Sequence, residues 1–143
     1  MTRQPTCCIP EDAIQIAARR MVECDCGALP VVGDIDRFPI GIITDRDIVV
    51  RAVAAPETAR LHVRDCMTTP AITVTEDTDV DDCITMLEQA QIRRMIVVDD
   101  SGRCTGIVAP ADIASHSSKR KSGALLRGVS RPSTAVDPAF ART

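Results

Sequence analysis

Apolar positions along the chain fall into windows that come round twice. After Asp12 and after Thr78, residue types that open helices, apolar side chains recur at helical spacing. The first window has Ile14, Ala17, Ala18 and Met21, and the second has Val80, Cys83, Ile84 and Leu87. Each predicts an amphipathic helix. Short β-prone segments precede the windows at residues 7–9 and 72–75. Continuous apolar runs follow at Ala28–Val32 and 39–43, then at Met95–Val98 and 106–109. Gly33-Asp34-Ile35-Asp36 and Asp99-Asp100-Ser101-Gly102 lie between the paired runs and accept turn dihedrals, so each pair is predicted as two strands joined by a turn.

The order strand, helix, strand, strand, helix therefore occurs twice, and the copies align residue by residue. Leu29-Pro30-Val31-Val32 lies over Met95-Ile96-Val97-Val98 at an offset of 66, and the same offset puts Met1-Thr2 over Met67-Thr68. Further on, Gly41-Ile42-Ile43-Thr44-Asp45-Arg46-Asp47-Ile48 lies over Gly106-Ile107-Val108-Ala109-Pro110-Ala111-Asp112-Ile113 at 65, so the first copy gained one residue in its turn. A unit of roughly 55 residues buries too small a share of its surface to stand alone. The expectation is an α+β fold in which two pseudo-symmetric β-α-β-β-α units pack as one module. The first unit spans residues 1–60 and is shortened at its start, where nothing corresponds to Val63–Cys66. The second spans 61–116, and a connection at 54–61 containing Pro56 joins them. After His116 the periodicity stops, and Ser, Gly, Pro and basic residues dominate. That composition does not offset chain entropy, so 117–143 is predicted to be a flexible basic tail.

Composition narrows the chemistry. The 143 residues are 45% hydrophobic, enough for a globular interior, but with two Phe and no Trp or Tyr the core must be aliphatic. A bound base or ring would be held by Val, Ile, Leu, Met and Pro rather than stacked on Tyr or Trp. Seven Cys without a signal peptide argue against a secreted disulfide framework. Reduced thiols and a cytoplasmic location are expected. No apolar run reaches the roughly 18 residues of a transmembrane helix, so no membrane role is expected. The net charge of −3 conceals an acidic body and a tail with six basic residues against one acidic. Such a tail supports at most salt-sensitive association with nucleic acid, which is not expected as a specific partner.

The stretch Gly41 to Ile48 holds the densest candidate chemistry. An apolar strand turns without a spacer into Thr44-Asp45-Arg46-Asp47. A hydroxyl with a carboxylate three positions on is a capping-box variant. The same groups also suit a ligand, because helix-start amides favour phosphate and a carboxylate accepts two hydrogen bonds from a ribose diol. Both readings stand at this point. Arg93-Arg94, just before a strand of the second copy, could pair with phosphate or form ion pairs at a solvated edge. Cys7-Cys8 and Cys24-Asp25-Cys26 raise metal or thiol sensing, although a single Cys-x-Cys lacks the matching second pair of a usual zinc site. No Ser-His-Asp order, phosphate-binding glycine loop or His-Glu-x-x-His is present, so no enzymatic activity is expected and no catalytic residue is assigned.

The repeated Gly-hydrophobic-hydrophobic-Thr-x-x-Asp segment and the Leu29-Pro30-Val31-Val32 strand resemble the CBS domain. Two such units in tandem resemble a Bateman module, and the resemblance covers residues 1–116. It implies a regulatory module whose inter-repeat cleft takes up an adenine nucleotide (AMP, ADP or ATP) or, in some members, NAD or S-adenosylmethionine. No cofactor is required. It also implies a homodimer of paired modules that acts on a regulated protein which the sequence does not name. Carried onto this chain, Asp47 would hold the ribose hydroxyls, Thr44 would contact ribose or phosphate with Arg46 in the same segment, and Arg93 and Arg94 would reach the phosphate from the opposite repeat. The second copy departs from the pattern. Ala109 stands where the family has Ser or Thr, Pro110 follows, and from the first copy Gly27-Ala28 replaces the His-Arg that often precedes the Leu-Pro-Val strand, so Asp112 marks a weaker second site. The alternatives are a ligand-free structural or interaction module, or a thiol or metal sensor using Cys7, Cys8, Cys24 and Cys26.

Overall fold

A computed structural model of the protein describes residues 1–54 and 60–116; residues 55–59 of the connection and the predicted tail, 117–143, lie outside the described residues. The elements follow the repeated order. They are β1 (Thr2–Arg3), α1 (Ile14–Glu23), β2 (Ala28–Val32), β3 (Pro39–Thr44) and α2 (Asp45–Asp47), which runs on as a π-helix (Ile48–Val53). Then come α3 (Val63–Cys66), β4 (Thr73–Thr75), α4 (Val80–Ala90), β5 (Met95–Val98), β6 (Cys104–Val108) and α5 (Pro110–His116). Mixed helices and short strands make this an α+β module.

One sheet has the order β1-β6-β5-β4 and the other pairs β2 with β3. The edge strand β1 belongs to the first repeat in sequence but pairs with the second, Thr2 opposite Ile107 and Arg3 opposite Gly106. The exchange is mutual. Thr68 of the second repeat bridges Ile42 in β3, with N···O distances of 3.0 and 2.8 Å. A third equivalence links Cys8 with Val31, the counterpart of Val74 with Val97, both parallel. Each repeat therefore supplies backbone hydrogen bonds to the other's strand edge, which would otherwise stand unpaired.

Gly41 makes this crossing possible, because a Cβ there would lie 2.5 Å from the Thr68 carbonyl oxygen. At the matching Gly106 the approach is looser, with the Met1 sulfur at 3.0 Å and the Thr2 carbonyl at 3.3 Å.

The core repeats as well. Cys8, Ala17, Met21, Leu29, Val31 and Ile43 are buried in one cluster. Their counterparts Val74, Cys83, Leu87, Met95 and Val97 form the other, with Val108 packed against it. Fully burying such a side chain contributes about 1.5–3 kcal/mol, and these positions are the apolar stripes of α1 and α4 and the inward residues of the strands. A third cluster of Val32, Ile96 and Cys104, with Cys7 against it, joins the repeats.

The repeats differ where α3 packs. Val63 and Cys66 are fully buried in the first core. Ile14 N donates to Leu61 O at 3.0 Å and Val63 N to Asp12 O at 2.8 Å. The corresponding face of the second repeat lines a cavity of about 250 Å³ with Val74, Thr78, Val80, Cys83 and Asp112 among its walls.

Several local expectations change. Residues 7–9 form no strand, only the bridge at Cys8. Asp12 does not cap α1, whose N-cap is Ala13 without a side-chain bond, because the Asp12 carboxylate accepts from Ile9 N at 3.0 Å and from Arg20. Thr78 is likewise displaced by Asp79, which accepts from Asp81 N at 2.8 Å while Thr78 Oγ1 takes Thr75 N. β6 begins at Cys104, which pairs with Val98, and ends before Ala109, whose amide turns to Asp112.

Candidate functional site

β3 runs into α2 with one residue as the hinge. Thr44 is extended, with φ −117° and ψ 162°, and α2 begins at the next residue. Fully buried Ile43 anchors the strand end, and Ala28 stands opposite Thr44 in the hairpin. A Cβ on Gly27 would lie 3.1 Å from the Asp45 carboxylate, so glycine permits the close fit of this junction.

Thr44 and Asp47 form a reciprocal capping box. Asp47 N donates to Thr44 Oγ1 at 3.1 Å and Thr44 N donates to Asp47 Oδ2 at 3.0 Å. The Thr44 hydroxyl donates to the same Oδ2 at 2.7 Å. Asp45 N reaches Gly27 O at 3.1 Å and Arg46 N reaches Asp45 Oδ1 at 2.7 Å. The first three amides of α2 therefore have acceptors within the chain. Of the two readings open for this turn, these bonds form the capping one: the box takes the Asp47 amide, Gly27 O that of Asp45 and the Asp45 carboxylate that of Arg46.

The carboxylate keeps capacity. Asp47 Oδ1 has Arg51 at 3.7 Å, an ion pair longer than a hydrogen bond, and the Asp47 side chain is 15% exposed while that of Arg51 is 45% exposed. The box fixes the carboxylate's orientation through one oxygen, while Arg51, beside the other, donates from Nη1 to Cys66 O at 2.9 Å and to Met67 O at 3.0 Å. Arg46 is exposed on the same turn. In the second repeat Asp112 Oδ2 accepts from Ala109 N at 2.8 Å, and the amino group of Met1 lies 3.5 Å from Oδ1. With Ala109 in place of Thr44, the hydroxyl bond is missing.

Arg93 and Arg94 directly precede β5, as Gly27 and Ala28 stand at the start of β2. Arg94 Nη1 donates to Arg93 O at 2.8 Å, and Arg93 is exposed. The Arg94 charge is a minor influence that favours the Cys26 thiolate at the α1–β2 junction of the first repeat.

The thiols sort differently from their spacing. Cys8 lies in the first core, where burial pushes its pKa up, while Cys7 packs on the cluster between the repeats. The two do not form one thiol site, because neighbours in an extended segment face opposite ways. Cys24 and Cys26 do meet, with their sulfurs 2.9 Å apart. Burial and then Cys24 push Cys26 up to about 11, against the lowering charge of Arg94. Spacing in the sequence gave no signal for Cys104. There the neighbouring Cys7 thiol and the Arg37 charge hold the pKa down at about 7 against burial, while Cys7 Sγ itself donates to Pro5 O at 3.3 Å. Arg37 Nη2 is 3.3 Å from Cys7 Sγ and its carbonyl accepts from Cys104 N at 3.1 Å. Among the described residues, no three His, Cys, Asp or Glu side chains gather in a way that could hold a metal ion. No helix among them is long and apolar enough to cross a membrane.

Comparison with known proteins agrees with this geometry. The CBS domain matches residues 1–53 and 63–119. Uncharacterized protein YlbB of Bacillus subtilis is 33% identical over 131 residues, 91% of this chain and 88% of its own. Hypoxic response protein 1 of Mycobacterium tuberculosis is 38% identical over 116 residues, 78% of this chain and 77% of its own. A crystal structure of Hypoxic Response Protein I with two coordinated zinc ions has a TM-score of 0.69 at 34% identity, covering 82% of this chain and 95% of that one. CBSX2 in complex with AMP shares the fold, with a TM-score of 0.71 at 24% identity over 81% of this chain and 90% of that one. The twofold match falls on the two repeats whose strand edges exchange partners, and the chain belongs to the CBS domain family as a CBS pair.

Proposed function

We propose that this CBS pair is a non-catalytic regulatory module that senses an adenine nucleotide in the cleft between its repeats. The observation that carries the reading is the state of Asp47. One carboxylate oxygen is locked by Thr44 and the other has only a long ion pair to an exposed arginine. A ribose diol donates two hydrogen bonds to such a group. Thr44 serves chiefly to orient the carboxylate. Arg46, Arg93 and Arg94 supply positive charge for phosphate, and Asp112 centres the weaker site. The AMP complex of CBSX2 supports this ligand class.

The module acts as a cytoplasmic homodimer on a regulated protein. Val22 on α1 and Val49, Val50 and Val53 on the adjoining π-helix are 82%, 59%, 44% and 63% exposed, an apolar surface suited to self-association.

A thermal-shift series with AMP, ADP, ATP, NAD and S-adenosylmethionine tests the sensing role, because a ligand that prefers the native state stabilises it by RT ln(1 + [L]/Kd). At 100 times Kd the stabilisation is about 2.7 kcal/mol, a readily measured rise in melting temperature. A rise with at least one ligand is expected, and no rise with any of the five overturns the reading.

A further inference from the structure

The C-terminal end of α1 brings two thiols together at the surface. Cys24 is the C-cap of α1, its backbone N–H bonded to Arg20 O, and its side chain is exposed. Asp25 follows at φ 47°, the left-handed region that non-glycine residues seldom occupy. That residue turns the chain back on itself, and Cys26 N reaches Met21 O at 3.0 Å. In an extended segment, residues two apart are separated by roughly 6.5 Å. Here the sulfurs of Cys24 and Cys26 are 2.9 Å apart. Cys24 also donates to Arg20 O at 2.7 Å, a bond that holds its side chain over the end of the helix.

We propose that Cys24 and Cys26 are an oxidation site that closes to a disulfide under a hydroperoxide and reopens on reduction. The more exposed sulfur, Cys24, attacks as the thiolate. An S–O bond forms and the O–O bond breaks, and the departing hydroxide takes a proton to become water. The Cys26 sulfur then attacks the Cys24 sulfenic acid. The S–S bond forms, the S–O bond breaks, and the leaving hydroxide takes the Cys26 proton. Two thiols lose two electrons and two protons in all, and one hydrogen peroxide becomes two waters.

Position selects this pair over the other five cysteines. Cys8, Cys66, Cys83 and Cys104 are at most 7% exposed, which keeps them from the oxidant. Cys7, half-buried like Cys26, gives its thiol proton to Pro5 O and adjoins the buried Cys104. The site also adjoins Gly27, whose carbonyl takes the first amide of α2, so the modification falls at the strand-to-helix junction that holds Asp47.

The test treats the reduced full chain with hydrogen peroxide, labels the remaining thiols with N-ethylmaleimide and digests with trypsin. The peptide from Met21 to Arg37 carries both cysteines. It is expected to lose two hydrogens, about 2 Da, and to escape labelling. Dithiothreitol should restore both labels. In the Cys26→Ser variant, dimedone should trap a sulfenic acid at Cys24 because the resolving thiol is gone. The proposal is overturned if Cys24 and Cys26 remain fully labelled after oxidation, or if either pairs with another cysteine or with a second chain. This readout needs no nucleotide, so it stands or fails apart from the sensing role.

Discussion

Ile14 and Val80 occupy equivalent places in the two repeats, yet Ile14 is 2% exposed and Val80 is 42% exposed. The difference comes from α3, whose Val63 and Cys66 join the core around Ile14, whereas Val80 lines an apolar cavity. The substitutions should separate accordingly. Ile14→Ala removes a fully packed side chain and should cost about 2–5 kcal/mol, whereas Val80→Ala should cost about 0.5 kcal/mol. Urea denaturation of the two variants measures both, and equal losses would show that α3 does not make the distinction.

The exchanged edges lead to a second prediction. Gly41→Ala forces a methyl group against the Thr68 carbonyl oxygen, at 2.5 Å, where backbone from the other repeat must retreat. Gly106→Ala meets the flexible Met1 thioether at 3.0 Å first. Gly41→Ala should therefore cost about 1–3 kcal/mol, the range for overpacking, and Gly106→Ala less. Thermal melts followed by circular dichroism give the order, and a reversed order would contradict the mutual exchange.

The bounds of β2 and β5 were legible because short runs rich in Val, Ile and Leu, flanked by turn residues, leave few other options. The repeat itself came from sequence offsets that the core reproduces position by position, Met21 with Leu87 and Leu29 with Met95. Helix starts were less legible. Asp12 and Asp79 are both good caps, but Arg20 and Ile9 N recruit Asp12 while nothing comparable recruits Asp79. Pairing of Thr2 with Ile107 and of Cys7 with the Cys104 cluster joins residues about a hundred positions apart, which periodicity does not reveal. At the site, Thr44-x-x-Asp47 was readable as a box. That the Asp45 amide would be taken up by Gly27 O depended on strand register, which the box alone does not reveal.

Thiol burial sets the alkaline limit of stability. Burial raises the pKa values of Cys8, Cys66 and Cys83, and raises Cys26 to about 11, above the ordinary value of 9.0. These groups stay protonated longer in the native state than in the unfolded one. Their stabilisation is complete below pH 9 and is lost as pH rises toward 11. Cys104, held down at about 7, acts in the opposite sense and adds stability as pH rises from 7 to 9. Urea midpoints at pH 7, 9 and 11 should peak at 9 and fall by 11. A midpoint still rising at 11 would contradict the burial of these thiols.

The last prediction concerns unequal occupancy of the two sites. Asp47 has a hydroxyl partner that fixes its carboxylate, and the Arg94 charge bears on Cys26 at the neighbouring α1–β2 junction. Asp112 lacks that hydroxyl: its Oδ2 accepts from the Ala109 amide and its Oδ1 lies 3.5 Å from the Met1 amino group. Charge-assisted hydrogen bonds contribute about 1.5–3 kcal/mol, so losing one weakens binding about tenfold or more. Asp47→Asn keeps the size of the side chain while removing its charge, and should reduce affinity for AMP and adenosine alike. Arg94→Ala should weaken AMP more than adenosine, which has no phosphate to pair with the guanidinium. Asp112→Asn should change little. Titration calorimetry on the three variants, each checked for an intact melt, resolves the pattern. Loss of binding in Asp112→Asn with Asp47→Asn unaffected would reverse the assignment of the two sites.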